Sequence, residues 1–168
     1  TNLICIEPPM TVDIPFRRPR LFLDYLKSVR FLRQIGPTHW LYKPIALVPY
    51  SVSLRFPAFK KVNRYIMKAS LINVIKTLWM SDHILMLPHP AQEYVIGMLN
   101  EQVLCYDVYD EHSESRVISS ELRKIVKYEE LKILKKADIV FTSARNISEN
   151  KKLINQNTHF VPNAADVN

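Results

Sequence analysis

The stretch QVLCYDVYDEHSE, residues 102 to 114, joins an apolar run of strand length to a cluster of titratable side chains. The run has the composition of a buried β-strand, and the polar residues after it mark the exit of that strand and the entry of a helix. Five titratable groups fall within eight positions, namely Asp107, Asp110, Glu111, His112 and Glu114. This combination indicates a parallel sheet with polar groups at its strand ends.

Similar apolar runs recur on both sides of this stretch, and longer helical patterns separate them. Such alternation is typical of βαβ units around a parallel sheet. Pro44 and Pro49 divide one run into two short extended pieces, because proline cannot donate a hydrogen bond within a central strand. The predicted strands lie within residues 2–9, 40–50, 83–90, 102–110, 138–143 and 159–163.

Apolar residues at three-to-four spacing predict two long amphipathic helices and three shorter ones. The first covers residues 56–79 and carries Lys60, Lys61, Arg64 and Lys68 on its polar face. The second covers residues 115–136, with Ser113 or Ser115 as its N-cap and with four solvent-facing residues, Glu129, Glu130, Lys135 and Lys136. The shorter helices are predicted over residues 20–34, 91–99 and 144–154.

The predicted fold class is α/β, with a mostly parallel sheet and helices on both of its faces, and residues 1–168 are expected to form one domain. The strand ends near Pro8, Pro88, Asp110, Ser143 and Asn163 are expected on one edge of a single sheet.

Composition limits the possible functions. The chain has 23 lysines and arginines against 16 aspartates and glutamates, a net charge of +7 that favours anionic partners such as phosphates or acidic lipid. No helix-turn-helix, RRM or KH signature supports a nucleic-acid partner. With only Gly36 and Gly97, neither a G-x-G-x-x-G nor a G-x-x-x-x-G-K-[ST] phosphate loop can form. A nucleotide must therefore be held by other means or by another domain.

Membrane and redox environment are predicted from the same composition. No apolar run is long enough to span a bilayer, so a soluble or membrane-surface protein is expected. Residues 16–33 interleave cations with apolar residues, as in helices that rest on anionic membranes, and the basic face at 56–79 is expected to assist. Cys5 and Cys105 lie in apolar runs and are predicted to be buried thiols of a protein in the reducing cytoplasm.

The polar cluster after residue 106 has a structural and a functional interpretation. Acidic residues at a helix N-terminus are stabilised by the macrodipole, which accounts for Glu111 and Glu114. It does not account for His112, or for the position of Asp107 and Asp110 before the cap. Asp107 lies within the strand, where it is either a paired, structural carboxylate or a functional one. Carboxylates at this spacing could also bind Mg²⁺ or Mn²⁺, although the spacing is not diagnostic, and no zinc motif occurs.

The histidines also have structural and functional interpretations. His89, between two prolines at the end of a strand, is either a turn residue or a group that lines a site. Three others precede apolar runs and are predicted to be structural, at the opposite edge of the sheet: His39, His83 and His159.

Residues 128–166, YEELKILKKADIVFTSARNISENKKLINQNTHFVPNAAD, resemble the last third of the N-terminal domain of GT-B fold glycosyltransferases, of the family 4-like type that makes cell-surface polysaccharides. In that family a helix ending in an Ala-Asp pair leads to a strand closed by serine and then to a "vpNGvD" crossing. Here these are Ala137-Asp138, Ser143 and VPNAAD, with Ala164 in place of the glycine. The segments YKPIALVPYS, LMLPHP and CYDVYDEHSE resemble the upstream strand ends of the family.

The resemblance implies a Rossmann-like acceptor-side domain that transfers a sugar from a nucleotide-sugar to a polysaccharide or glycolipid acceptor. It implies a fragment without the first strand and the C-terminal donor-binding domain, inactive alone, without a tightly bound cofactor or metal, and working at the inner membrane face. Asp110, Glu111 and His112 would orient or deprotonate the acceptor, and Asn163 would line the interdomain, donor side. The residues expected to contact the acceptor are Pro8, Tyr50, His89 and Ser143.

Two other functions stay open. The chain could be a non-catalytic Rossmann-like module whose basic surface docks to anionic membrane or a protein partner. It could also be a small metal-dependent hydrolase that uses Asp107 and Asp110, although no phosphate loop supports this.

Overall fold

A computed structural model describes residues 2–7, 10–11, 32–49, 52, 56–111 and 119–162. The chain divides into two compact units, Thr1–Ser81 and Asp82–Asn168. The expectation of one domain over residues 1–168 stays a prediction.

The first unit contains short strands and one long described helix. β1 and β4 pair in parallel and β3 pairs antiparallel with β4, while β2 and β5 form a separate parallel pair. The elements are β1 (Leu3–Ile6), β2 (Met10–Thr11), β3 (Leu32–Gln34), β4 (His39–Tyr42), β5 (Ile45–Ala46) and α1 (Pro57–Thr77).

The strand β3 corrects the prediction of a helix over residues 20–34, of which residues 20–31 lie outside the described part. Leu32 to Gln34 fold back on β4 through a turn at Gly36 and Pro37. The backbone N–H groups of Ile35 and Gly36 both donate to His39 O, at 2.9 and 3.2 Å. The turn places Leu32 opposite Tyr42, and this long-range pairing outweighs the local helical pattern of the segment.

Helix α1 confirms the long helix predicted over residues 56–79. Pro57 opens it, at a position where the missing N–H group costs nothing. Met67, Leu71 and Val74 form its buried stripe at helical spacing. Asn63 attaches the helix to the segment after β5, since its Oδ1 accepts from Leu47 N at 2.9 Å and its Nδ2 donates to Val48 O at 3.0 Å.

The second unit is a four-stranded, all-parallel sheet with helices in the connections, and the strands lie side by side in chain order. This arrangement is an α/β fold compatible with a Rossmann-like one. The elements are β6 (Ile84–Leu87), a 3-10 helix (Pro90–Val95), β7 (Val103–Val108), α2 (Ser120–Lys136), β8 (Ile139–Thr142), α3 (Arg145–Lys152) and β9 (Thr158–Phe160).

These bounds confirm the predicted strands of the second unit and refine its helices. The region predicted as a helix at 91–99 contains the 3-10 helix, and α3 lies within the predicted 144–154. Helix α2 begins later than predicted, and its N-cap is Ser119, whose hydroxyl accepts from Leu122 N at 3.3 Å. Ser113 and Ser115 are therefore not the cap, and both lie outside the described residues.

Strand β7 lies at the centre of the hydrophobic core of the second unit. Leu104, Tyr106 and Val108 are buried on the face that α2 covers, as the hydrogen bond from Tyr106 to Glu130 of that helix demonstrates. Burial of an apolar side chain of this size contributes about 1.5–3 kcal/mol to stability. The strand is therefore held by its packing against α2.

The described strands form three sheets, where the sequence predicted one. The parallel pairing of β1 with β4 stops at Tyr42, and pairing resumes at Ile45 beside Met10. Pro44 lies between these two registers and has no N–H group with which to continue the ladder.

The two cysteines are both free thiols but differ in exposure. Cys105 is buried as predicted, and burial, followed by the charge of Asp138, raises the pKa of its thiol. The prediction that Cys5 is buried is wrong, because it shares the exposed side of β1 with Leu3, where residues alternate between the two faces.

Candidate functional site

Polar side chains follow three neighbouring strands of the four-stranded sheet at one edge. His89 comes after β6, Asp110 and Glu111 after β7, and Ser143 after β8. Because the strands are parallel and about 4.8 Å apart, their carboxyl ends lie together. We call this the carboxyl edge, and it is where open α/β sheets bind their ligands.

Asp110 is the exposed carboxylate of the carboxyl edge. Its Oδ1 accepts from the backbone N–H of Glu111 at 2.8 Å, which fixes the side chain beside the strand end. Within the described residues no hydrogen bond reaches Oδ2. That oxygen can accept a hydrogen bond, or a proton, from a bound hydroxyl group.

Ser143 ties the ends of two strands together. Its hydroxyl donates to Tyr109 O at 2.8 Å, and its backbone N–H donates to Val108 O at 3.3 Å. These bonds place the Ser143 hydroxyl next to the peptide that precedes Asp110. The first role of Ser143 is therefore to set the position of the loop that carries the carboxylates.

Glu111 continues into a buried chain of charged and polar groups. Lys151 of α3 lies 2.5 Å from Glu111 Oε1 and 3.1 Å from Glu130 Oε1. The Tyr106 hydroxyl donates to the same Glu130 oxygen at 3.2 Å. Only Glu111 of these residues lies partly exposed, so the chain connects the interior of the unit with its carboxyl edge.

The pKa values of this chain reflect its burial. Burial alone would lower the pKa of Lys151, but the hydrogen bond to Glu111 and the charge of Glu130 outweigh it and raise that pKa. Burial, then the charge of Glu130, raises the pKa of Tyr106 far above its usual value. Lys151 therefore stays a cation at neutral pH and holds Glu111 in one direction, while Tyr106 stays a neutral donor.

Three of these residues, Tyr106, Glu130 and Lys151, were not predicted as part of a site. Glu130 was expected in solvent together with Glu129, and that expectation is wrong, because both side chains are almost completely buried. The signal was present in the sequence. Both glutamates lie within four residues of Val126 and Ile133, which places them on the apolar face of α2. Lys135 and Lys136 are exposed as predicted.

His89 has a structural role in the described fold. Its ring Nδ1 accepts from Ala91 N at 3.0 Å and thereby caps the 3-10 helix that follows β6. The ring is half-buried at the carboxyl edge, so this role leaves room for contact with a ligand. Of the other candidates, Pro8, Tyr50, His112 and Asn163 lie outside the described residues, as does most of the predicted membrane segment at 16–33.

The remaining histidines lie at strand beginnings or within a strand. His39 opens β4, and His83 precedes β6, where its ring Nε2 contacts Leu99 O at 2.9 Å. His159 lies within β9 and its ring Nε2 contacts Asn157 Oδ1 at 2.7 Å. The contacts of His83 and His159 are to neighbouring backbone or amide groups, as expected for structural residues.

In the part of the chain that the structure describes, no three His, Cys, Asp or Glu side chains are grouped closely enough to hold a metal ion. Asp107, Asp110 and Glu111 therefore do not form a cluster of metal ligands.

Among the helices of the described ranges, none has the length and apolar character that crossing a membrane requires.

The sequence was also compared with known proteins. A scan against protein-family models and a search of curated proteins both found no match.

Proposed function

We propose that this chain is the acceptor-side domain of a GT-B fold, nucleotide-sugar-dependent glycosyltransferase that acts on a polysaccharide or glycolipid. The observation that carries the proposal is the gathering of His89, Asp110, Glu111 and Ser143 at one edge of a parallel sheet. The resemblance of residues 128–166 to that family points to the same edge. The donor would be bound mainly by a second domain, with no tightly held cofactor.

The proposed chemistry requires a group that accepts the proton of the acceptor hydroxyl. Asp110 suits this role, because it is exposed and its Oδ2 makes no hydrogen bond within the described residues. Glu111 suits a different role, since the ion pair with Lys151 fixes its carboxylate as a hydrogen-bond acceptor that orients the substrate. His112 is proposed as a further acid-base group, and Asn163 as a residue of the donor side.

Acceptor binding tests this proposal on the chain as it exists, because it reports on the carboxyl edge directly and does not require a bound donor. Calorimetric titration with a panel of oligosaccharides and polyprenyl-linked saccharides should find a ligand. Asp110→Asn and Glu111→Gln should each weaken its binding at least tenfold. Asp107→Asn is the matched control, because Asp107 lies within β7 and precedes the edge.

Two results would contradict the proposal. One is that no saccharide of the panel binds to the folded chain. The other is that Asp107→Asn weakens binding as much as Asp110→Asn does, which would indicate an effect of charge rather than of position.

A second candidate function, a non-catalytic module that docks on anionic membrane, is favoured by helix α1. Its sequence from Pro57 to Thr77 has five cations and no acidic residue. Lys61, Arg64 and Lys68 lie along one exposed side at helical spacing. Beside them the helix exposes four large apolar side chains, Phe56, Phe59, Val62 and Tyr65. A cationic strip next to an apolar strip is typical of helices that lie in a membrane interface.

Vesicle co-sedimentation tests whether the chain docks on anionic membrane. The chain should bind vesicles of phosphatidylcholine with phosphatidylglycerol and not those of phosphatidylcholine alone. Each cation near the surface contributes about 1 kcal/mol, so the double change Lys61→Gln and Lys68→Gln should weaken binding by roughly tenfold or more. The control is Lys135→Gln with Lys152→Gln, which removes the same charge elsewhere. Equal binding to both kinds of vesicle would exclude the docking function.

A further inference from the structure

A pocket of about 560 Å³ lies between α2 and α3, on the helix layer of the second unit. We call it the α2–α3 pocket. Its volume is within the range of sites that bind small molecules. Leu131, Leu134 and Ile154 supply its apolar wall, while charged residues supply its base and rim. It shares only Glu111 with the carboxyl edge, so it does not belong to the proposed acceptor site.

The base of the pocket is formed by the buried chain Glu111, Lys151 and Glu130. The two hydrogen-bonding contacts of Glu130 both end on Oε1. Within the described part of the chain its Oε2 receives no hydrogen bond. This oxygen is not one of the fully buried, unsatisfied atoms of the described residues, so it stays accessible and can accept a hydrogen bond from a ligand hydroxyl.

The rim of the pocket is cationic. Lys124 and Lys127 are exposed on consecutive turns of α2, and neither forms an ion pair with a described carboxylate. With Lys151, the lining has three lysines against two glutamates. The excess positive charge lies at the entrance, where the phosphate of a small ligand, carrying about −1.5 to −2 at neutral pH, would be held.

An aromatic ring lies between these two polar regions. Tyr128 lines the pocket with its side chain largely exposed, and Lys132 Nζ lies 4.4 Å from the ring centroid. This cation–π contact favours one orientation of the ring. An exposed aromatic ring beside hydrogen-bonding groups offers an apolar surface to the C–H face of a sugar. Asn150 adds an amide that can both donate and accept.

We propose that the α2–α3 pocket binds a phosphorylated sugar, with its phosphate on Lys124 and Lys127 and its hydroxyls on Glu130 and Asn150. The cations select an anion, and the carboxylate and amide select hydroxyl groups, so neither a neutral sugar nor a bare phosphate satisfies both. This inference rests on the pocket alone and does not depend on the proposed transferase function.

Titration calorimetry on the full chain tests it with three probes: glucose 6-phosphate, glucose and inorganic phosphate. Glucose 6-phosphate should bind at least tenfold more tightly than either of the others. Lys124→Gln with Lys127→Gln should weaken that binding at least tenfold, and Tyr128→Ala should weaken it as well. All three side chains are exposed, so these variants are expected to fold, which circular dichroism would verify.

The matched control is Lys135→Gln with Lys152→Gln, which removes two exposed lysines from the same helices outside the pocket. It should leave the affinity within twofold of the parent. The proposal is overturned if glucose 6-phosphate does not bind, if phosphate alone binds equally well, or if the control weakens binding as much as the rim variant. Asp110→Asn should not change this affinity, which separates the result from a failure of the acceptor site.

Discussion

The two edges of the four-stranded sheet use their polar side chains differently. At the amino edge, where the strands begin, side chains bind the backbone. Asp138 Oδ2 accepts from Leu104 N at 2.8 Å, and Asn155 Nδ2 donates to Leu134 O at 2.9 Å and Ala137 O at 2.7 Å. Asn157 donates to Asp138 O. These bonds satisfy backbone carbonyl groups at the end of α2 and at the start of β8. We therefore call this edge a structural clamp.

At the carboxyl edge the charged side chains bind one another or face solvent, and the one backbone bond of Asp110 is to the next residue, Glu111. Lys151 joins Glu111 and Glu130, and Asp110 remains exposed. Asp138 holds the backbone of a neighbouring strand and is needed for the fold, whereas Asp110 binds only the adjacent N–H group of Glu111 and can exchange water for a ligand at its other oxygen. The comparison therefore predicts that changes at the amino edge alter stability, and that exposed groups at the carboxyl edge alter binding.

The largest expected effect concerns Lys151, which forms a buried ion pair with Glu130 behind the carboxyl edge. Lys151→Met removes the cation from Glu130, which is buried, and leaves an uncompensated charge. Loss of one partner of a buried pair typically costs about 3–5 kcal/mol, and we expect that loss in the free energy of unfolding measured with urea.

Two controls sharpen this first prediction. Lys152→Met changes the adjacent, exposed lysine and should cost less than about 0.5 kcal/mol. The double variant Lys151→Met with Glu130→Gln should recover part of the stability, because the buried charge is then removed. A cost below about 1 kcal/mol for Lys151→Met would show that the ion pair is not buried in solution.

The clamp at the amino edge gives the next largest effect. Asn155→Ala leaves the carbonyls of Leu134 and Ala137 without the donor they have in the structure. A buried group left unsatisfied costs about 1–3 kcal/mol, so we expect a loss of about 2 kcal/mol in urea denaturation. Gln156→Ala, at the exposed neighbouring position, is the control and should be nearly neutral. Equal losses for the two variants would contradict the clamp.

The sequence predicted the second unit better than the first. Its strands are continuous apolar runs bounded by turn residues, and the connections between them are long enough for the crossovers of parallel pairing, so local patterns predicted this unit. Strand β3 could not be predicted in this way. Its residues Leu32 to Gln34 become a strand only through pairing with β4, and that pairing depends on the turn at Gly36.

Some residues of the candidate site could be predicted from local patterns, and others could not. Asp110, Glu111 and Ser143 follow strands directly, so strand position alone indicated that they share an edge. The burial of Glu130 could have been derived from helical spacing. The contacts of Lys151 could not, because they join α3 to α2 and to the loop after β7, and only the packing of these elements brings the three charges together.

Alkaline pH gives a gradual effect, about 1.4 kcal/mol for one pH unit, which depends on buried groups within the second unit. Burial raises the pKa of Tyr94 from 10.0 to about 12. Between these values the unfolded chain releases the phenolic proton and the folded one retains it, so the free energy of unfolding falls as pH rises. The loss from this residue is about 1.4 kcal/mol for each pH unit between 10 and 12.

Thermal unfolding between pH 8 and pH 12 checks this dependence. Tyr94→Phe should flatten the decline above pH 10, while Tyr128→Phe, at an exposed position, should not. The raised pKa values of Tyr106 and Lys151 act in the same direction, so a smaller decline should remain in the Tyr94 variant. An identical decline in both variants would contradict the burial of Tyr94.

The smallest expected effect on stability belongs to Asp110, and it is the sharpest test of the difference between the edges. Asp110→Asn keeps an oxygen that can accept from Glu111 N, the only hydrogen bond of this side chain among the described residues. The side chain is exposed, so loss of its charge should change the free energy of unfolding by less than about 0.5 kcal/mol.

The conservative change at the amino edge, Asp138→Asn, should cost about 1–2 kcal/mol more, because a charge-assisted bond to Leu104 N is weakened. Saccharide binding should show the reverse order, with a loss for Asp110→Asn and none for Asp138→Asn. If both variants lose stability equally and neither changes binding, Asp110 is a structural residue like those of the clamp, and the functional distinction between the two edges fails.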